Sequence, residues 1–149
     1  MILRKFLNVA KYFSIEELQQ SEVATAKGID NTMPVALYNN ANGLMGLLDF
    51  IRIRWGAPIE VSSGYRCKEL NEAVGGSPTS AHPYALAADI QPMSGCFECF
   101  RQVVRAAVVD YEGGFDQLII ERSGSTKWEH VGWRHPEGRQ RRQLFAISE

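Results

Sequence analysis

Phe115-Asp116-Gln117-Leu118-Ile119-Ile120-Glu121 and Trp128-Glu129-His130-Val131-Gly132 are two short runs rich in β-branched and aromatic residues. The polar turn Ser123-Gly124-Ser125 lies between them, and this arrangement predicts a β-hairpin. Upstream the period changes. Leu37, Ala41, Leu44, Leu47, Leu48, Ile51 and Trp55 recur at helical spacing. A core helix should therefore start at Pro34, run to about Trp55 and stop at Gly56-Ala57-Pro58.

The remaining elements fall around these two. Ser14-Ile15-Glu16-Glu17 has the form of a capping box opening a short helix, and Ile29 to Pro34 reads as loop. A short strand over Pro58 to Ser62 enters the turn Ser63-Gly64-Tyr65-Arg66, and Lys68 to Val74 forms a short helix ended by Gly75-Gly76. Ser77 to Tyr84 is loop, Ala87 to Gln91 a buried strand, and Phe97 to Val109 a second core helix closed by Gly113-Gly114. Gln143 to Ile147 supplies a last edge strand. Helices followed by a small, mostly antiparallel sheet make an α+β fold, with helices flanking the sheet.

A chain of 149 residues with 45% hydrophobic content suits one domain, 1–149, with one substantial core. The formal net charge of −1 gives no global electrostatic case for nucleic acid. The one basic run, Arg134, Arg139, Arg141 and Arg142, is expected to be a solvated loop, with His135 exposed within it. Cys67, Cys96 and Cys99 form no disulfide framework. Cys96-Phe97-Glu98-Cys99 is an isolated CxxC at a helix start, one or both of whose thiols are expected to pack in the core, with a redox or metal role as the alternative. Met1 to Tyr12 carries Arg4, Lys5 and Lys11 with no apolar stretch of signal-peptide length, and no segment is expected to insert in a membrane. The expectation is synthesis in the cytoplasm without a signal peptide.

His82 and Asp89 read as half of a zinc site, since a neutral imidazole and a carboxylate are ordinary zinc ligands. His130 is the candidate third ligand. Three protein ligands with one open position are catalytic in type, which points to a metallohydrolase. Plainer alternatives exist: an isolated histidine is often just a hydrogen-bonded polar residue, and Asp89 could cap a helix or loop. Strand alternation puts His130 on one face with Trp128 and Gly132, and Glu129 with Val131 on the other. Glu121, at the end of the preceding strand, could face the His130 side. It is therefore the candidate carboxylate that accepts a proton from water at the metal and passes it to the leaving amine. Arg66 follows a glycine-containing turn, where a fixed guanidinium could stabilise a developing oxyanion or bind a substrate carboxylate. Ser80 and Trp128 complete the candidates for substrate contact.

Several segments together resemble the zinc D-Ala-D-Ala carboxypeptidase family of peptidoglycan hydrolases, part of a superfamily that includes the hedgehog N-terminal domain. They are Ser62-Ser63-Gly64-Tyr65-Arg66, Leu70-Asn71, Val74-Gly75-Gly76, Ser80-Ala81-His82, Ala87-Ala88-Asp89-Ile90, Phe115 to Glu121, and Trp128-Glu129-His130-Val131. The stretch from Phe13-Ser14 to Pro34 is similar to the N-terminal part of the phage and bacterial branch, so the resemblance spans about residues 13 to 133. It implies zinc held by His82, Asp89 and His130, Arg66 at the substrate, Glu121 as the acidic residue, and cleavage of cell-wall stem peptides. It further implies an endolysin released by a holin, or a hydrolase carried on a phage particle, acting at the bacterial wall.

Three positions depart from that family's pattern. Ala85 stands where glycine is usual, Cys67 replaces a small hydroxyl residue, and Glu129 replaces the aliphatic before the last histidine. Glu129 therefore remains a competitor to Glu121, or a partner orienting a ligand. Neither the bond cut nor the choice of endopeptidase or carboxypeptidase is encoded legibly. A small cytosolic dipeptidase and a non-catalytic wall-binding module with a structural zinc are the alternative readings.

Overall fold

The computed structural model describes residues 10–146; Met1 to Val9, which hold most of the N-terminal segment read above, lie outside the described residues. Ser14 caps the first helix, α1 (Ile15–Gln19), its Oγ accepting from the Glu17 N–H at 3.2 Å. A second short helix, α2 (Glu22–Lys27), was not legible in the sequence. Ser21 caps it, and Gly28 ends it in the left-handed conformation. A 3-10 turn at Val35–Leu37 leads into α3 (Tyr38–Trp55), which buries Ala41, Leu44, Leu47, Leu48 and Ile51 as the helical spacing requires.

The strands are β1 (Ile59–Ser63), β2 (Ala87–Pro92), β3 (Gln117–Ser123), β4 (Thr126–Gly132) and β5 (Gln143–Ala146). Helix α4 (Lys68–Ala73) separates β1 from β2, and α5 (Phe97–Asp110) separates β2 from β3. The sheet order is β1-β2-β4-β3-β5, antiparallel throughout except for the parallel β3–β5 pair. The hairpin is tighter than expected. Ser123 pairs with Thr126, leaving the two-residue turn Gly124-Ser125, and glycine takes the first position because φ there is +61°. Ile147, the last residue of the expected edge strand, lies outside the described residues.

Alternation along the strands divides the sheet into two working faces. Ala88, Ile90, Leu118 and Val131 join the core with Leu44, Leu48, Phe100, Val104 and Val108 of α3 and α5. The other face carries Asp89, Glu121, Trp128 and His130. No helix among the described residues is long and apolar enough to cross a membrane.

Three expectations about the surface are corrected in whole or in part. Cys96 and Cys99 are exposed rather than packed in the core, because α5 turns Phe100, Val104, Ala107 and Val108 inward and leaves its cysteine side to solvent. The basic run is not simply a solvated loop. Arg141 donates to both oxygens of Asp116, at 3.0 Å from Nε and 2.6 Å from Nη2, and Asp116 is 1% exposed. Burial alone would raise the Asp116 pKa, but the Arg141 partner holds it below the ordinary value. This pair ties the approach of β5 to the start of β3. His135, in the same loop, is half-buried rather than exposed, and its Nδ1 accepts from the Glu137 N–H at 3.0 Å.

Candidate metal centre

The site begins with a close approach of backbone to backbone. The Tyr65 N–H donates to the Leu18 carbonyl at 2.7 Å, and a Cβ on Gly64 would collide with that same carbonyl. Only glycine fits. The Gly64 carbonyl so placed accepts from Nδ1 of His82 at 2.6 Å. A carbonyl cannot donate, so Nδ1 carries the proton and a neutral His82 keeps the lone pair of Nε2 free.

His82 opens a 3-10 turn, His82–Tyr84, whose entry is fixed by Ser80: its Oγ accepts from the His82 N–H at 3.1 Å. The exit is Ala85, at φ +57° with its methyl fully buried. An L side chain in this left-handed region costs about 1 kcal/mol, which the buried methyl offsets in part. The turn is thus made without glycine.

Asp89 and His130 are brought in by the sheet. They are direct partners across β2 and β4. Asp89 Oδ1 lies 3.4 Å from His82 Nε2 and 3.1 Å from His130 Nδ1, and one donor atom from each of the three residues falls within 4.8 Å of the others. His82 and Asp89 are buried, whereas the His130 side chain is 12% exposed, so the cluster opens on its His130 side. Burial by itself would raise the Asp89 pKa. The two imidazoles outweigh it and hold the carboxyl well below the ordinary range, so it stays an anion. Two nitrogens and a buried carboxylate, with one tautomer already fixed by a backbone carbonyl, fit a zinc ion in ligand type and number.

Arg66 sits at the margin of this cluster. It donates from Nε to Ser63 Oγ at 2.9 Å, from Nη1 to Asn71 Oδ1 at 3.1 Å and from Nη2 to Asp89 Oδ2 at 3.4 Å. Burial lowers the Arg66 pKa, against the opposing pull of the Asp89 and Glu121 charges. Asn71 also donates to the Ser77 carbonyl at 3.0 Å, bracing the loop that leads to His82. Neither Ser63 nor Asn71 was assigned a role from sequence. Both stand in the motif-bearing segments, which was the only available signal.

Glu121 lies on the His130 face, as alternation requires. It pairs across the hairpin with Trp128, whose indole N–H donates to Glu121 Oε2 at 2.9 Å. Glu129 points the other way. It is fully buried among Leu118, Ile120 and Leu144, neither carboxyl oxygen has a hydrogen-bond partner, and burial pushes its pKa up to about 8. The sheet thus separates the two glutamates that the sequence left in competition.

The sequence model described as Peptidase M15 matches residues 11–130, ending on His130. The chain belongs to the peptidase M15 family. Within this M15 domain the three candidate ligands, Arg66 and Glu121 all fall inside the matched span. No curated protein matches the chain significantly. A groove of about 680 Å³ runs along the outer edge of β1, lined by Ile59, Val61, Ser63, Leu70 and, at the ligand cluster, Arg66.

Proposed function

We propose that this M15 chain is a zinc peptidase that hydrolyses peptide bonds in peptidoglycan stem peptides, as a D-Ala-D-Ala carboxypeptidase or an L-Ala-D-Glu endopeptidase. The observation that carries the reading is the convergence of His82, Asp89 and His130, with Glu121 on the same face of the sheet. His82, Asp89 and His130 would hold the ion, which when bound polarises the scissile carbonyl and lowers the pKa of its water. Glu121 accepts the proton of the attacking water through its carboxylate and returns it to the leaving amine. Trp128 keeps that carboxylate in place by its indole N–H. Arg66 has donors left after Ser63, Asn71 and Asp89, and these stabilise the oxyanion or bind a substrate carboxylate. Ser80 supports the ligand loop and borders the substrate. Action on the wall would follow holin-dependent release or delivery on a phage particle.

The test is digestion of purified peptidoglycan by zinc-loaded wild type and Glu121→Gln, with released fragments analysed by mass spectrometry. Products from wild type alone support the peptidase and Glu121 as proton carrier, and identify the bond. Products from both variants move the proton carrier elsewhere. Products from neither, with one zinc bound, favour a wall-binding module instead.

A further inference from the structure

The metal centre leaves the CxxC unused. Cys96 is the N-cap of α5 and Cys99 lies one turn in, and both thiols are exposed. Residues three apart on a helix are neighbours, within the Cα separation of about 4.4–6.8 Å that a disulfide spans. The pair sits at the head of a crossover: α5 leaves β2 and returns to β3, which runs parallel to β2 with β4 between them. The preceding Met93, Ser94 and Gly95 are exposed, so a second sulfur compound can reach the site. Phe100, packed in the core, and Phe97, packed against it, anchor the first turn from beneath.

We propose that Cys96 and Cys99 form a redox-active dithiol that exchanges with disulfides, with Cys96 as the nucleophile and Cys99 as the resolving thiol. The two sulfurs are not equivalent. The Cys96 sulfur accepts from the Cys99 backbone N–H at 3.1 Å, at the positive end of a 14-residue helix. The adjacent Cys99 thiol and that bond favour a thiolate at Cys96 and lower its pKa, while the nearness of Cys96 raises that of Cys99. The charged neighbours are Glu98, which opposes the thiolate, and Arg101 and Lys127, which pair with Glu98 at 3.2 and 3.9 Å and temper that opposition.

The exchange balances with a low-molecular-weight disulfide as oxidant. The Cys96 thiolate attacks one sulfur, forming a mixed disulfide and expelling one thiolate. Cys99 then loses its proton, attacks the Cys96 sulfur and expels the second thiolate. Two protein thiols are oxidised by two electrons, one external disulfide is reduced, and the protons of Cys96 and Cys99 end on the two thiols released.

The experiment equilibrates full-length protein with glutathione and glutathione disulfide at graded ratios, quenches with iodoacetamide, and maps tryptic peptides by mass spectrometry. Cys96 and Cys99 fall in one peptide, 69–101, and Cys67 in another. Oxidising ratios should yield the 69–101 peptide two hydrogens lighter and unalkylated, fully reversible at reducing ratios. Cys99→Ser should accumulate glutathione on Cys96, whereas Cys96→Ser should leave Cys99 largely unmodified. In reduced protein near neutral pH, Cys96 should alkylate at least about threefold faster than Cys99. Equal alkylation rates with no intramolecular disulfide at any ratio, or disulfides formed only between chains, would overturn the proposal.

Discussion

Asp89 and His130 face each other across two neighbouring antiparallel strands, with Asp89 Oδ1 3.1 Å from His130 Nδ1. The relationship is rigid because it is made by sheet register, and His82 is added to it from a loop pinned by Gly64 and Ser80. Two ligands on the sheet and one on a braced turn give a site held by contacts of the fold itself.

Metal binding should therefore stabilise the fold without building it. Saturating zinc should raise the denaturation midpoint, with about 2.7 kcal/mol gained at a free zinc concentration one hundred times Kd. His82→Ala and Asp89→Ala should lose this increment and bind well below one equivalent by isothermal titration. An unchanged stoichiometry in both variants would remove these residues from the site.

Arg66→Lys keeps the charge but cannot reach Ser63, Asn71 and Asp89 together. Steady-state kinetics on a stem-peptide substrate should show kcat/KM reduced by roughly 10²–10³, with zinc stoichiometry unchanged. Retention of full turnover would assign the guanidinium to structure alone.

The buried Glu129 predicts a pH-dependent penalty. Its carboxyl titrates at about 8 in the fold but near 4.5 when unfolded. Between those values the unfolded chain has released its proton and the folded one has not. Stability should thus fall as pH rises across that window, by up to about 1.4 kcal/mol per unit. Glu129→Gln removes this slope, and metal-free variants compared by urea denaturation should diverge by roughly 2 kcal/mol or more from about pH 5 to about pH 8. Parallel curves would show that the carboxylate finds a partner.

Asp116→Ala removes the acceptor for the Arg141 side chain and for the Arg141 N–H. Because Arg141 is 29% exposed and can rehydrate, the cost should be about 2–3 kcal/mol rather than the upper range for a buried pair. Chemical denaturation reads this directly, and proteolysis near β5 should accelerate alongside it.

Much of this arrangement was legible beforehand because it follows from local periodicity. The stripe from Leu37 to Trp55 could only be a core helix, and alternation alone set His130 and Glu129 on opposite faces. The short helix α2 is not legible because six residues carry too little apolar pattern, its only signals being Ser21 and Gly28. The expected burial of Cys96 and Cys99 does not hold, since it depends on which side of α5 meets the core.

The sequence by itself determined most element types and the polarity of each strand face, because backbone geometry gives these a fixed short period, and residue identity set the donor chemistry of His82, Asp89 and His130. Tertiary structure alone decided that Asp89 and His130 are cross-strand partners, that the Gly64 carbonyl fixes the His82 tautomer, and that Glu121 shares their face while Glu129 is buried behind it. Those relations depend on register and on contacts between residues far apart in the chain, which no local pattern records.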